Sequence, residues 1–375
     1  MSTAIPTSAA TPISAALGGS RLTGAGHALP GPMDQQGLWD GYFREHYADD
    51  RVARIVWQRS GIRTRRGVVD PTQEDISGWG TGARMQRFLA EALPLGKEAV
   101  GLALADAGLS AADVGMFAVV SCTGYVTPGL DVLLARDLGM ANSVQRLHIG
   151  HMGCYAALPG LGAVADFSTA RRRPAVLLCL ELTSLHVQPA TASARSGSPS
   201  PQDLQQMVAH ALFSDAAAAV VVEPGGTGSP GLVVLDSVAR TDVGTADHMT
   251  WDVTDLGFKM GLDPRVPDVL ARHAGPVVQE LLGRNGLEVA DVAGWAVHPG
   301  GRRIVEVVGE ALDLSPEQLA PSYDVLRDVG NCSSATVLLV LEKVRATCTL
   351  APGDAVVAMA FGPGLTLVAT LLRQA

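Results

Sequence analysis

The chain has few lysines, few aromatic residues and no long apolar run, and each shortage excludes a class of protein. Its 28 basic residues include only three lysines, and its formal net charge is −9. General binding to nucleic acid requires a basic surface, so this charge balance excludes it. The best candidate for a membrane span, residues 355–372, is interrupted by Gly362, Pro363 and Gly364 and so falls short of roughly 18 consecutive apolar residues.

Cysteine is also scarce. Five cysteines without paired spacing predict a reduced, cytoplasmic protein, and the absence of Cys-x-x-Cys, His-x-x-x-His and His-Glu-x-x-His patterns predicts that there is no metal site. Residues 1–24 lack the basic and apolar segments of a signal peptide, so they predict a disordered tail. With 47% apolar but only 5% aromatic residues, the remaining chain is expected to bury cores of small and branched aliphatic side chains.

An internal repeat predicts two similar halves. Residues 108–119 and 286–297 share Gly-Leu, Ala-Asp-Val, an aromatic residue and Ala-Val at a constant offset of 178, and the same offset carries Cys154 onto Cys332. Each copy is typical of a helix end, a turn and a buried strand. A repeat of half the chain indicates a duplication rather than a solenoid, whose repeats are about 20–50 residues long.

The sequence therefore predicts an α/β protein made of two duplicated halves, each with a mixed sheet and crossover helices. We place the N-terminal half at 25–226 and the C-terminal half at 227–375, because Pro and Gly residues at 224–231 interrupt any regular element. Residues 189–206 are rich in Ser, Pro, Ala and Gln and predict a long surface loop.

Three turns after predicted strands carry side chains that suit acyl transfer, namely Cys154, His298 and Asn331. The strand ends of a duplicated α/β fold converge where ligands bind. A cysteine at a helix start is favoured as a thiolate nucleophile, and an imidazole with an asparagine amide supplies hydrogen-bond donors to an oxyanion. Each residue also has an ordinary interpretation, as a small buried apolar thiol, a strand-capping imidazole and a turn or helix-capping amide.

Four blocks that contain or accompany these residues resemble the type III polyketide synthases, the chalcone-synthase-like branch of the thiolase superfamily. The blocks are Gly-Cys154-Tyr-Ala, His298-Pro-Gly-Gly, Gly-Asn331-Cys-Ser-Ser-Ala and Phe361-Gly-Pro-Gly-Leu-Thr. Further matches keep the family's order over roughly residues 50–370. The resemblance implies a five-layered αβαβα thiolase fold of two similar halves, a homodimer, and neither a metal nor an organic cofactor.

The resemblance also implies a role for each of the three residues. Cys154 matches the nucleophile that takes a starter acyl group from a thioester. His298 would hold Cys154 as a thiolate and, with Asn331, would bind the thioester carbonyl of malonyl-CoA while decarboxylation forms an enolate. The expected reaction extends the starter two carbons at a time and releases a short pyrone or resorcinol-type product.

Other matches concern substrate binding. Phe213 and Phe258 match two aromatic gatekeepers between a CoA tunnel and a reaction cavity. The positions that match cavity-lining residues are Thr127, Thr183, His186, Met249 and Ser333. Chalcone synthases have threonine and glycine where this chain has His186 and Met249, so the larger side chains predict a small cavity and few extensions.

The sequence leaves open whether the acyl donor is a CoA thioester or a carrier protein. Arg59 matches a residue that contacts CoA phosphates, and it belongs to a cluster of six arginines within 51–66 that is alternatively a solvated face or a docking patch for an acidic acyl carrier protein. The rival functions are a ketoacyl-ACP synthase III-like enzyme and a standalone ketosynthase, each performing a single condensation of CoA- or carrier-bound chains. A degradative thiolase would need a second catalytic cysteine, for which Cys332 is the candidate.

Overall fold

The computed structural model describes residues 19–225 and 231–375. Most of the tail predicted at residues 1–24 lies outside the described residues, but residues 21–24 are not part of a tail, because Arg21–Ala28 form the first strand. Two glycines in this strand let a helix pack directly against it, since a Cβ at Gly26 would lie 2.4 Å from the backbone nitrogen of Ala103. Residues 226–230 also lie outside the described residues, so the division at 226 stays a prediction.

The described chain contains thirteen strands. In chain order they are β1 (Arg21–Ala28), β2 (Pro32–Asp34), β3 (Thr64–Arg66), β4 (Met116–Val120), β5 (Gln145–Ile149), β6 (Ala175–Glu181), β7 (Ala216–Glu223), β8 (Leu232–Thr241), β9 (Met249–Thr254), β10 (Gly257–Leu262), β11 (Val292–Val297), β12 (Ala355–Gly362) and β13 (Thr366–Gln374). Nine of them form one sheet in the order β11-β12-β13-β8-β1-β7-β6-β4-β5. The other strands form two ribbons, β2 with β3 and β9 with β10.

Twelve α-helices lie in the same described ranges. They are α1 (Gln35–Leu38), α2 (Arg44–His46), α3 (Arg51–Arg59), α4 (Thr81–Ala107), α5 (Leu130–Asp137), α6 (Ala157–Arg171), α7 (Ala192–Arg195), α8 (Pro201–Leu212), α9 (Val266–Arg284), α10 (Arg302–Leu312), α11 (Ala320–Asp328) and α12 (Ser334–Thr347). None of these is both long and apolar enough to cross a membrane. No three His, Cys, Asp or Glu side chains within the described ranges are grouped to hold a metal ion.

The predicted duplication is confirmed. Strands β4, β6, β7 and β1 of the first half correspond to β11, β12, β13 and β8 of the second, in the same spatial order. The matching turns, Ala111–Asp113 and Val289–Asp291, are both 3-10 turns closed by a capping box, so the repeated Ala-Asp-Val starts each buried strand in the same way. The two halves meet where β1 pairs with β8, with Leu22 opposite Leu232.

Five layers result because each half-sheet buries both of its faces. Leu177 of β6 and Ala358 of β12 pack into one core with α6 and α12, which form the central layer. The residues that follow Leu177 and Ala358 in these strands point to the opposite face of the sheet. Leu178 shares a core with α4, and Met359 shares one with α9 and α10, so these helices are the outer layers. The predicted αβαβα arrangement is confirmed.

The long loop predicted at 189–206 is wrong in part. Helix α8 starts at Pro201, where Ser200 and Asp203 form a capping box and the proline occupies the first turn. Thr191 caps the short α7 in the same segment. The Ser, Pro and Asp residues that resemble loop composition here mark helix starts.

Candidate active site

Cys154 lies at the junction between β5 and α6. A single 3-10 turn, Gly153–Tyr155, presents it directly before the helix. Gly153 has a φ of +68°, and a Cβ there would lie 2.6 Å from the ring of Pro363, so this position requires glycine. The Cys154 thiol is buried and lies 3.6 Å from the hydroxyl oxygen of Ser333.

His298 follows β11 and is fully buried. Its backbone N–H donates to the carbonyl of Met359 over 2.8 Å, which fixes the residue at the end of the strand pair β11–β12. The imidazole meets the ring of Phe361 edge-on, with 5.5 Å between the ring centres. Neither ring nitrogen has a hydrogen-bond partner among the described residues. A buried polar group without a partner is costly, so these nitrogens are available to a substrate.

Asn331 is held in one orientation from both sides. Its backbone forms a bridge to Phe213, with the N–H donating to Leu212 and the carbonyl accepting from Ser214. Its side-chain oxygen accepts the backbone N–H of Ser333 over 2.9 Å, and one hydrogen of its amide nitrogen is directed to the carbonyl of Gly300, 3.2 Å away. The second amide hydrogen remains to be donated.

The three residues converge on one space. An outer cavity of about 360 Å³ is lined by Cys154, His298 and Asn331, and at its surface end by Arg59, Arg302 and Arg303. An inner cavity of about 110 Å³ lies beyond it; among its lining residues are Cys122, Cys154, Thr183, Trp251 and Ser333. Cys154 lines both, so a chain bound to its sulfur has access to either side.

The structure places one of the two predicted gatekeepers between the cavities and the other away from them. Phe213 lines both cavities and therefore lies between them. Phe258 lines neither, because its ring stacks on His186 with 4.6 Å between ring centres, at a third, side cavity of about 50 Å³. Met260, two residues further along β10, points to the same side of the strand and lines both cavities, so it occupies the partition with Phe213.

Two of the five predicted cavity residues line the inner cavity, namely Thr183 and Ser333. His186 does not, because its ring nitrogens bond the carbonyl of Thr123 and the N–H of Phe258 behind the cavity wall. Met249 lines the outer cavity only. Thr127 lies in the exposed loop between β4 and α5 and lines none of the three cavities.

Trp251 is the large cavity residue that sequence reasoning missed. It pairs with Met260 across the β9–β10 ribbon, two residues along β9 from the pair formed by Met249 and Leu262. Its indole N–H donates a hydrogen bond to the carbonyl of Cys122 over 2.8 Å. The side chain forms part of the wall of the inner cavity. Alternate residues of a strand point to the same side, so the spacing Met249-x-Trp251 could have identified Trp251 as a neighbour of the predicted cavity residue Met249.

Glu181 is a second residue with a structural role at the site. It is fully buried at the end of β6 and accepts hydrogen bonds from the backbone N–H of Cys122, the hydroxyl of Thr123 and the hydroxyl of Ser334, at 3.0, 2.7 and 2.6 Å. Burial raises the pKa of its carboxyl group. Thr123 belongs to the first half and Ser334 to the second, so Glu181 joins the two halves beside Cys154.

The predicted resting thiolate is not supported. Burial raises the pKa of the Cys154 thiol to about 12 and lowers the pKa of the His298 imidazole to about 3. Both shifts favour the neutral form of the group, and the two groups line the same cavity.

Arginines and cysteines near the site also differ from the sequence expectation. Arg59 lines the outer cavity, where CoA binding by this residue stays a prediction. Arg65 is buried and donates to the carbonyls of His210 and Phe213, so it is not part of a surface patch. Burial lowers the pKa of Arg65 to about 10. Cys332 is buried and lines none of the three cavities, which is not the position that a second thiolase nucleophile needs.

Comparison with known proteins agrees with this architecture. The family profile of the N-terminal domain of chalcone and stilbene synthases matches residues 8–226, and the profile of their C-terminal domain matches residues 236–375. The chain is 32% identical to the alpha-pyrone synthesis polyketide synthase-like Pks18 of Mycobacterium tuberculosis, over 85% of this chain and 81% of that protein. It is 36% identical to the 1,3,6,8-tetrahydroxynaphthalene synthase of Streptomyces peucetius subsp. caesius, over 87% and 84%.

A solved structure gives the same result. The crystal structure of 1,3,6,8-tetrahydroxynaphthalene synthase from Streptomyces coelicolor A3(2), a bacterial type III polyketide synthase, superposes with a TM-score of 0.86 at 27% identity, over 94% of this chain and 99% of that one. The chain belongs to the chalcone and stilbene synthase family. It is a type III polyketide synthase, an acyltransferase that performs decarboxylative Claisen condensations.

Proposed function

We propose that this enzyme loads an acyl starter onto Cys154 and extends it with malonyl-CoA to a short chain, released as a pyrone or a resorcinol. The observation that carries the proposal is the convergence of Cys154, His298 and Asn331 on one cavity, with both imidazole nitrogens and one amide hydrogen free to meet a substrate. The steps use only thioester substrates and side chains of this protein, so we propose no cofactor.

Loading begins from the neutral pair. As the Cys154 sulfur attacks the starter thioester, His298 accepts the thiol proton, and the new imidazolium stabilises the developing charge in a space shielded from water. The carbon–sulfur bond to CoA then breaks, the CoA sulfur takes the proton from His298, and the acyl group remains on Cys154. The raised pKa of Cys154 requires such a base at the moment of attack.

Extension uses the same donors differently. With malonyl-CoA in the outer cavity, the neutral His298 donates its ring N–H, and Asn331 its free amide hydrogen, to the thioester carbonyl oxygen. Loss of CO2 moves the electron pair of the broken carbon–carbon bond into an enolate on that oxygen, where both donors act more strongly than on the ground state. The enolate carbon attacks the acyl group on Cys154, and the Cys154 sulfur leaves.

The size of the inner cavity limits the chain. At about 110 Å³ it leaves little room for a growing chain, so we expect only a few extension units before release. The two bacterial relatives are an alpha-pyrone-synthesis-like enzyme and a tetrahydroxynaphthalene synthase. Their names support a pyrone or phenolic product for this chain.

Location and assembly complete the proposal. We place the enzyme in the cytoplasm, where CoA thioesters are made, and infer a homodimer as in the family. The exposed side chains of Leu102 and Tyr125 offer apolar surface for such an interface. Light scattering on the full chain at micromolar concentration, with Leu102→Glu as the disrupting variant, tests the dimer.

The function is tested by incubating the enzyme with a panel of acyl-CoAs and ¹³C-malonyl-CoA and analysing the products by mass spectrometry. We expect products that carry the starter plus two or more labelled two-carbon units. Cys154→Ala should form none of them, whereas Cys348→Ala, which changes a cysteine outside the three cavities, should behave like the wild type. Products limited to a single condensation would favour the rival ketosynthase.

A further inference from the structure

Helix α3 exposes two large apolar side chains beside the outer cavity. Val52 and Ile55 are 41% and 36% exposed, although most of the described large apolar residues are buried. Spacings of three and four residues place them on one helical stripe with Val56 and Arg59. Val56 and Arg59 themselves line the outer cavity. The exposed apolar surface is therefore continuous with the entrance through which a substrate reaches Cys154.

Positive charge borders this stripe. Arg51 and Arg59 are exposed and form no ion pair within residues 19–225 and 231–375, whereas Arg54 pairs with Asp49. On the opposite rim Arg302 and Arg303 line the outer cavity and carry further positive charge, partly balanced by glutamates of their own helix. The protein as a whole has a net charge of −9, so a basic rim at this entrance is a local feature.

The phosphates of CoA explain the arginines but not the apolar residues. A nucleotide is recognised by charge and hydrogen bonds, and it would leave Val52 and Ile55 in water. An exposed apolar strip with a charged border is typical of a protein–protein contact. The partner that fits must be acidic, must present an apolar surface, and must send a thioester into the outer cavity.

We propose that α3 and the adjoining rim dock an acidic acyl carrier protein, which delivers the starter on its phosphopantetheine arm through the outer cavity to Cys154. This proposal rests on the loading step of the proposed function and identifies the protein that donates the starter acyl group. The Cys154 sulfur bonds to the acyl carbon while His298 takes the thiol proton. The carbon–sulfur bond to the carrier breaks, and the departing phosphopantetheine sulfur receives that proton.

The test compares three donors of one acyl group, hexanoyl: a discrete acyl carrier protein, CoA and free pantetheine, each with malonyl-CoA as extender. With the wild type, we expect kcat/KM for the carrier-bound starter to exceed that for the pantetheine thioester by at least about tenfold, because the docking contacts act only there. Val52→Asn and Ile55→Asn, which remove the apolar surface without adding charge, should each lower the carrier-dependent value about tenfold and leave the CoA and pantetheine values unchanged.

A matched control is Val243→Asn, since Val243 is an exposed valine that lines none of the three cavities. It should leave all three donors unaffected. Equal rates with carrier and pantetheine, or equal losses with all three donors in the α3 variants, would overturn the docking site. The proposed function itself fails if no donor yields products with two or more extension units, so the two outcomes are distinguishable.

Discussion

Replacing Trp251 by glycine should lengthen the product. The indole ring lines the inner cavity, whose volume is about 110 Å³, and its N–H donates to the carbonyl of Cys122. A cavity of about 150 Å³ holds a benzene ring, and indole is larger than benzene. Removing Trp251 should therefore more than double the space next to Cys154 and admit at least one further acetate unit.

The assay is mass spectrometry of products made from a fixed acyl-CoA and ¹³C-malonyl-CoA. Trp251→Gly should shift the distribution upwards by one or more labelled units. Trp251→Phe keeps most of the ring volume but loses the hydrogen bond, so it should keep the wild-type product length. Met249→Gly enlarges only the outer cavity and should also leave the length unchanged.

Folding must be checked in the same samples. Losses of a buried tryptophan cost about 3–5 kcal/mol, but Trp251 is only partly buried and already borders empty space, so we expect a smaller loss in thermal unfolding. The reasoning is refuted if a folded Trp251→Gly enzyme gives the wild-type profile. It is equally refuted if Trp251→Phe lengthens the products as much, because the hydrogen bond rather than the volume would then set the limit.

Three further predictions concern Asn331, Cys154 and two buried histidines. Asn331→Ala should lower the decarboxylation rate of malonyl-CoA roughly 10²–10³-fold, measured as CO2 release, while acyl loading of Cys154 measured by protein mass spectrometry persists; equal loss of both would contradict the assigned role. Alkylation of Cys154 by iodoacetamide should be slow at pH 6 and accelerate with rising pH, because burial raises its pKa to about 12; peptide mass spectrometry that shows fast labelling at pH 6 would instead support a resting thiolate. The free energy of unfolding should decrease as the pH falls from 6.5 to about 4, because burial lowers the pKa of His186 to about 4 and that of His298 to about 3, so that the unfolded chain binds protons that the folded chain does not. Urea titrations at a series of pH values measure this loss, which His186→Asn should reduce. The raised pKa values of Glu181 and Asp215 act in the opposite direction, so the comparison of wild type with His186→Asn isolates the histidine contribution.

The fold and the three reacting residues could be predicted because their signals are local. The repeated Ala-Asp-Val begins a buried strand in each half, and Cys154 and His298 each follow a strand end, where parallel strands place side chains together. Asn331 is different from the expectation, because it follows helix α11 rather than a strand. These features depend on short sequences rather than on the packing of distant segments.

The cavity wall could not be predicted in the same way. Period-two alternation shows that Met249 and Trp251 share one face of β9, as Phe258 and Met260 share one face of β10, but only the ribbon's position against Phe213 decides which member of each pair reaches the cavity. The burial of Arg65 could not be predicted either, because a cluster of arginines in the sequence does not show which of them binds backbone carbonyls inside the protein.

The first and last strands of the described residues, β1 and β13, both lie inside the large sheet. Chain termini usually tolerate trimming and fusion because they fray at the surface. Here β1, which begins at Arg21, lies in the middle of the nine-stranded sheet, and β13, which ends at Gln374, has neighbours on both sides. Deleting residues past Arg21 would part the half that carries the nucleophile from the half that carries the oxyanion donors. Any tag or shortened version of this enzyme must therefore leave both end strands intact.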